Sequence, residues 1–175
     1  TGSFTVQSSK VDSGGTARSF TNEGSVVTGF NINQELGANT GMTFTFDSEN
    51  EQTTTAIATP AYPASMTPFN YTMATVEIDD SAVNTFTSFS LDGDLAMKTD
   101  RRFLKGSATK GQPKRAGVPS YTGTISGEFE DLTQYAAFVA GTEFKLEFIV
   151  TAGTAIAGSH YPYFHLEILW SFQVW

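Results

Sequence analysis

The histidines of this sequence are the first side chains to test for catalysis. A nucleophilic triad needs an imidazole base beside a hydroxyl or thiol, and His160 and His165 are the only two imidazoles. His165 alternates with Phe164 and Leu166, a pattern that places it on the polar face of a strand. We therefore interpret it as a surface residue rather than as a catalytic base.

Glu128 and Glu130 share one face of a predicted strand, which is an arrangement that an all-β glycosidase could use as an acid and a base. Side chains two residues apart on a strand lie about 7 Å from each other, which is compatible with that chemistry. Carboxylates on the solvent or lumen face of a strand are common, however, and no active-site aromatic pattern surrounds this pair. We therefore interpret both glutamates as surface carboxylates.

No spacing in the sequence indicates a metal site or a cofactor. The chain contains no cysteine, so thiolate metal sites and disulfides are excluded. The aspartates at positions 79, 80, 92 and 94 could offer oxygen atoms to calcium, but they lack the spacing of a dedicated calcium loop. Ordinary turn chemistry accounts for them better. We expect no catalytic residue, no metal and no cofactor.

Most of the positive charge lies in one segment. Seven of the ten Lys and Arg residues fall there: Lys98, Arg101, Arg102, Lys105, Lys110, Lys114 and Arg115. Asp100 is the only acid among them, whereas the rest of the chain carries 17 acidic residues and three basic ones. Such a loop could bind phosphates, remain solvated or dock on an acidic surface of another copy. Docking is favoured, because Phe103 is the loop's only aromatic stacking residue and the remainder is acidic.

Period-2 alternation predicts the elements that position these residues, and it indicates antiparallel strands. The predicted inward sets are Val26, Phe30 and Ile32; Met42, Phe44 and Phe46; Phe89 and Leu91; Tyr121, Ile125 and Phe129; Phe144 to Val150; and Phe164 to Val174. A phase slip between Met73 and Val76 indicates a bulge or a break. Residues 48–68 and about 99–119 are predicted as long irregular connections.

One short helix interrupts the strands. Asp131 can cap it and Gly141 can end it, while Leu132, Tyr135 and Val139 form a stripe that is expected to pack on a sheet. The predicted fold class is all-β: an antiparallel β-sandwich or half-open barrel with one short flanking α-helix and a long basic loop. Residues 1–175 fit a single domain, with two intertwined halves of about 1–72 and 73–175 as the alternative. No apolar run approaches the roughly 18 to 20 residues of a membrane span.

A succession of short motifs runs through the chain. They are VVTGFNI at 26–32, MTFTFD at 42–47, FTSFSL at 86–91, LKGS at 104–107, YTGTISGEFED at 121–131, the predicted helix, and GT followed by FKL at 141–146. In this order the sequence resembles the tail tube proteins of long-tailed (siphovirus-type) bacteriophages. The resemblance covers most of the chain, and each motif is moderately specific.

The resemblance implies a structural virion protein and no enzyme. Copies would close into a ring around an inner β-barrel, and stacked rings would form a tube for DNA delivery. The ring would contain six copies, or three if the similarity of 28–47 to 88–131 reflects a duplication. In that family a long loop reaches the adjacent ring, and residues 98–119 take this position. Glu128 and Glu130 are candidates for the lumen face, DNA and other tail proteins are the implied partners, and no membrane is involved. The protein would be made in the bacterial host cytoplasm and would reside in the virion tail.

Two functions of other classes stay open. A carbohydrate-binding β-sandwich, such as an adhesin or a capsid decoration module, would stack sugars on Trp170, Trp175 or the tyrosines. An all-β glycosidase would use Glu128.

Overall fold

The computed structural model describes residues 2–61, 67–128, 132–153, 155 and 160–171. Within these ranges the strands are β1 (Phe4–Val11), β2 (Ala17–Glu35), β3 (Gly41–Asp47), β4 (Asn50–Gln52), β5 (Ala74–Ile78), β6 (Ser81–Ala82), β7 (Phe86–Asp94), β8 (Met97–Lys98), β9 (Lys114–Arg115), β10 (Ser120–Gly127), β11 (Glu143–Thr151) and β12 (Tyr163–Ser171). The helix is α1 (Thr133–Ala140), and a 3-10 turn, Tyr71–Met73, precedes β5. That turn is the break that the phase slip predicted.

The strands form three sheets. The largest has the order β1-β2-β7-β10, and β3 and β4 also pair with β2. The second has the order β12-β11-β5-β6, and β8 and β9 form a two-stranded ribbon. Antiparallel pairing joins β1 to β2, β11 to β5 and β12, and β8 to β9. Within the described ranges no sheet closes into a barrel. The predicted all-β sandwich with one short helix is therefore confirmed.

The chain divides into two compact units, and each unit consists of three separate segments of the sequence. The first comprises Thr1–Asn31, Met42–Ala64 and Asp92–Thr122, and the second comprises Ile32–Gly41, Ser65–Leu91 and Gly123–Trp175. Boundaries between them fall inside β2, β3, β7 and β10. A single domain, or halves of about 1–72 and 73–175, stays a prediction.

The core of the second unit is built on β11. Its inward residues Leu146, Phe148 and Val150 are 1, 1 and 0 % exposed. The Phe148 ring stacks on Phe89 of β7 with a centroid distance of 4.7 Å, and it meets the edge of Phe164 of β12 at 6.3 Å. The stacking of Phe148 on Phe89 packs one sheet layer against another, whereas the contact with Phe164 lies within the sheet that β11 and β12 share. The alternation predicted for this strand is therefore confirmed.

The first unit buries small polar side chains along β2. Ser19, Thr21 and Ser25 are 7, 3 and 0 % exposed. Each hydroxyl has a partner, as burial of a polar group requires: Ser25 Oγ lies 2.8 Å from Ser48 Oγ, Thr21 Oγ1 accepts from Gln7 Nε2 at 2.9 Å, and Ser19 donates to the Thr55 carbonyl. This edge of the core is therefore held by hydrogen bonds as much as by apolar packing.

The apolar row of β3 differs from its predicted inward position. Met42, Phe44 and Phe46 are 38, 51 and 41 % exposed. Phe4 of β1, itself 58 % exposed, meets Phe46 edge-on at a centroid distance of 6.2 Å. Alternation shows that three side chains share a face, but it does not show whether another layer covers that face. In the single chain this row is surface.

The predicted helix is present as α1, and Gly141 ends it in the left-handed region with φ of 62°. Its stripe, however, is not core: Leu132, Tyr135 and Val139 are 66, 59 and 62 % exposed. Helical spacing places these residues on one side of α1, and in the single chain that side lies at the surface. The predicted cap, Asp131, lies outside the described residues. Among the described residues there is no helix with the length and apolar character that a membrane span requires.

Candidate functional site

The basic segment forms a loop on a short stem. β8 pairs with β9 through Met97 with Arg115 and Lys98 with Lys114, and residues 99–113 connect the two strands. The Arg101 guanidinium donates a hydrogen bond to the carbonyl of Gln112 across the base of the loop and lies 5.4 Å from the centre of the Phe103 ring. Arg101 therefore shapes the loop itself.

Lys110 holds the loop against an acidic turn of the same unit. Its Nζ lies 2.5 and 2.6 Å from the two carboxylate oxygens of Asp47. The two side chains are only 19 and 27 % exposed, so water screens the pair weakly. The turn that follows Asp47 also carries Glu49 and Glu51, which line the same groove as Lys110. Lys110 is therefore engaged within its own chain.

The outer part of the loop is open to solvent. Leu104 and Phe103 are 110 and 55 % exposed. Arg102 and Lys105 flank them and are exposed as well, and Arg102 makes one long hydrogen bond, 3.4 Å, to the Ala108 carbonyl. Exposed apolar side chains next to cations are typical of a surface that another protein covers.

The seven predicted docking residues therefore occupy one loop and stem but differ in their surroundings. Lys98 lies 3.8 Å from the Asp100 carboxylate, and Arg101 and Lys110 have the intrachain partners described above. The exposed remainder consists of Arg102, Lys105, Lys114 and Arg115. The distribution of charge in the sequence indicated the position of the loop. It did not distinguish the cations that have intrachain partners from those that remain exposed to solvent.

A polar groove lies on the first unit. It is lined mainly by Asn31, Thr43, Thr45, Asp92, Asp94, Ser120 and Thr122. Asn31 Nδ2 donates to Asp92 Oδ1 at 2.9 Å. On the opposite face of β2 the Phe30 ring lies over Gly93, where a Cβ would come within 2.4 Å of it. The groove offers hydroxyl, amide and carboxylate groups to solvent.

The predicted lumen residues lie beyond the end of β10. Glu128 directly follows the strand, is exposed, and has the phase of Thr124 and Ser126. Its backbone N–H donates to the Thr85 carbonyl at 2.9 Å, so the chain remains paired there. Glu130 lies outside the described residues. The assignment of these two carboxylates to a lumen stays a prediction.

A charged cluster lies on the outer face of β11, in the second unit. Lys145 Nζ lies 3.0 Å from Glu147 Oε2 and also binds the Asp80 carboxylate. Hydrogen bonds to Asp80 and Glu147 raise the pKa of Lys145, and the one from Lys145 lowers the pKa of Asp80. His165 Nε2 lies 3.0 Å from Glu147 Oε1. The outward position predicted for His165 is therefore confirmed, while its partner was not foreseen.

A family model described as phage tail tube protein matches residues 1–162, a range that includes the whole basic loop and the helix. No curated protein matches the chain.

Proposed function

Because the chain belongs to the phage tail tube protein family, we propose that its copies close into rings and that the rings stack into a tube that conducts phage DNA. The family is structural, and its members lie in the virion tail and assemble with other tail subunits. The observation that carries the proposal is the open tip of the basic loop, 102–108, on a chain whose net charge is −8. Opposite charges on one subunit favour contact between copies.

Ring closure would use free strand edges. β3 pairs with β2 and β10 pairs with β7, and among the residues that the structure describes no strand pairs with the other edge of either. Exposed edges invite pairing with another chain. Pairing of this kind between neighbouring copies, repeated around an axis, makes a closed ring. Six copies, or three if the chain contains a duplication, would complete it.

The exposed helix stripe adds a second contact for the ring. Leu132, Tyr135 and Val139 present an apolar surface, and we propose that a neighbouring copy covers it. The stripe then packs on a sheet as the sequence predicted, although the sheet belongs to another subunit.

Ring stacking would use the basic loop. The proposed docking residues are Lys98, Arg101, Arg102, Lys105, Lys110, Lys114 and Arg115, with Arg102 and Lys105 making the contact and Arg101 and Lys110 holding the loop in shape. Glu128 and Glu130 are the proposed lumen face. Their negative charge would repel phosphates, so DNA would pass as a transient cargo without sticking. Subunits would be made in the host cytoplasm before they join the tail.

Electron microscopy of the purified protein tests this proposal. Rings or stacked tubes are expected to form as protein concentration rises, and tubes should separate into rings at high salt if charges join the rings. Particles that remain monomeric at every concentration and salt tried would contradict ring formation. Rings that never stack, even at low salt, would contradict the role of the loop alone.

A further inference from the structure

Three glutamates form a row across the second sheet. In the β11 register Glu147 lies directly opposite Glu77 of β5 on one side and Glu167 of β12 on the other. Like charges directly opposite one another destabilise a sheet. Lys145 and His165 are the neighbouring basic groups on this face, and Lys145 also serves Asp80. The row therefore has an excess of negative charge that a bound cation would offset.

Glu147 is the centre of this row and is buried. It is 5 % exposed, which is rare for a carboxylate unless it is paired or coordinates a metal. Its Oε1 lies 3.0 Å from His165 Nε2. Its Oε2 lies 3.0 Å from Lys145 Nζ, within hydrogen-bonding distance. Lys145 thus fixes the carboxylate from one side and leaves Oε1 directed toward β12.

Three side chains converge at that oxygen. One ligand atom from each of Glu147, His165 and Glu167 lies within 4.8 Å of the others. His165 and Glu167 are two residues apart on the same outward face of β12, and β11 presents Glu147 directly opposite Glu167 and diagonally across from His165. Paired strands hold these positions at a constant spacing. His165 and Glu167 are exposed, so small rotations of their side chains can bring the atoms around one ion.

We propose that Glu147, His165 and Glu167 bind a divalent transition-metal ion of the Zn²⁺ type, with water completing the coordination. An imidazole nitrogen with two carboxylate oxygens suits zinc, whereas calcium and magnesium prefer oxygen ligands alone. Lys145 acts as a positioning residue by holding the second oxygen of Glu147. This site is independent of tube formation, and the proposal departs from the expectation of no metal, which rested on the absence of cysteine and of a calcium loop.

Such an ion would join an edge strand to its neighbour. β12 ends the order β12-β11-β5-β6 and pairs with β11 alone in the described ranges. Two ligands on β12 and one on β11 would tie the two strands together. Metal binding to the folded state should therefore stabilise the protein, with a thermal midpoint that rises as free metal exceeds its dissociation constant.

Titration of the EDTA-treated protein with ZnCl₂ tests the proposal. Calorimetry should show one ion per chain, and a thermal scan should show a higher melting temperature with zinc. His165→Ala and Glu167→Gln should each weaken binding at least about tenfold, whereas His160→Ala, which removes the other histidine, should not.

Co²⁺ provides a second readout, because its visible absorption reports coordination directly. Circular dichroism of each variant should match the parent protein, and both variants change exposed side chains so that the buried Glu147 stays intact. Unchanged zinc affinity in His165→Ala, an equal loss in His160→Ala, or binding of Mg²⁺ as tight as that of Zn²⁺ would each overturn the proposal.

Discussion

Lys110 and Asp47 lie 63 residues apart in the sequence and are joined by contacts of 2.5 and 2.6 Å between the ammonium and both carboxylate oxygens. The pair fixes the basic loop against the turn after β3 within a single chain. The conformation of the loop is therefore set before any neighbouring copy binds, which lowers the ordering cost of docking.

Lys110→Met should loosen the loop. We expect the free energy of unfolding to fall by about 0.5 to 1 kcal/mol, as for a partly exposed ion pair, and trypsin to cleave after Arg102 and Lys105 several times faster. Urea denaturation and timed digestion measure the two effects. Lys114→Met, which changes an exposed lysine of β9, is the matched control. Equal cleavage rates in the two variants would show that the Asp47 contact does not order the loop.

Arg102→Ser combined with Lys105→Ser should weaken the stacking of rings and leave ring closure unchanged. Arg101 is excluded because its guanidinium ties the base of the loop to Gln112. Tube length in electron micrographs, recorded over a series of salt concentrations, measures stacking. A variant with Lys10→Ser and Arg18→Ser removes the same charge outside the loop. If both variants shorten tubes equally, net charge and not the loop controls stacking.

Phe148→Ala should destabilise the second unit strongly. Its ring is 1 % exposed and stacks on Phe89 at 4.7 Å, and loss of a buried phenyl ring costs about 3 to 5 kcal/mol. Leu104→Ala removes a fully exposed side chain and should change stability by less than about 0.5 kcal/mol. Urea unfolding curves compare them. A similar midpoint for both variants would mean that the two sheet layers are not packed as described.

Gly93→Ala should strain the first unit. The added Cβ would lie 2.4 Å from the Phe30 ring, and such overpacking typically costs about 1 to 3 kcal/mol. Gly117→Ala, where the new Cβ meets Ala96 at an ordinary 3.4 Å, is the control. Adding Phe30→Leu should restore part of the loss in thermal unfolding. If Phe30→Leu restored none of the lost stability, the destabilisation would have a cause other than the contact between the new Cβ and the Phe30 ring.

Asp80→Asn should reduce stability in a pH-dependent way. The hydrogen bond from Lys145 lowers the pKa of Asp80 in the folded state. A carboxyl of this kind stabilises the fold above its unfolded pKa, and the contribution is lost as the pH falls through the folded pKa. The melting temperatures of parent and variant should therefore differ modestly at neutral pH and converge below the ordinary value of 3.8. Asparagine tolerates the φ of 63° at this position. A difference that persists in strong acid would contradict the ionic cause.

The strands β11 and β12 of the second unit were predictable from the sequence. β11 and β12 alternate because every second side chain enters the core, as Leu146 and Phe148 do. β1 and the first half of β2 were not predicted, since their buried residues include Ser19, Thr21 and Ser25. Hydrogen bonds offset the cost of burying these hydroxyl groups. The buried residues of this region therefore show no apolar periodicity in the sequence.

The sequence also did not predict whether another layer of the structure covers the apolar faces of β3 and α1. Phe44 of β3 and Tyr135 of α1 have the spacing of core residues, yet they are 51 and 59 % exposed. Periodicity reports which side chains share a face, while burial depends on the layer that lies above it. For a subunit of an assembly, that layer can come from another copy.

The position of the basic loop followed from charge alone, but its contacts did not. Lys110 finds Asp47, and His165 finds Glu147, only through strand pairing between distant segments. The spacing of His165 and Glu167 on one predicted polar face was the available signal for the cluster on β12. Glu147 could be added to it only when the register with β11 was defined.

The pairing of β2 with β7 has a kinetic consequence. Fifty residues separate Glu35 from Phe86, so the largest sheet must close a long chain segment before its contacts stabilise it, and such non-local pairing is slow. During synthesis β2 is therefore made well before β7, and the edge of β2 that pairs with β7 lacks its hydrogen-bonding partner until then. Until β7 is synthesised, this unpaired edge exposes the nascent chain to aggregation.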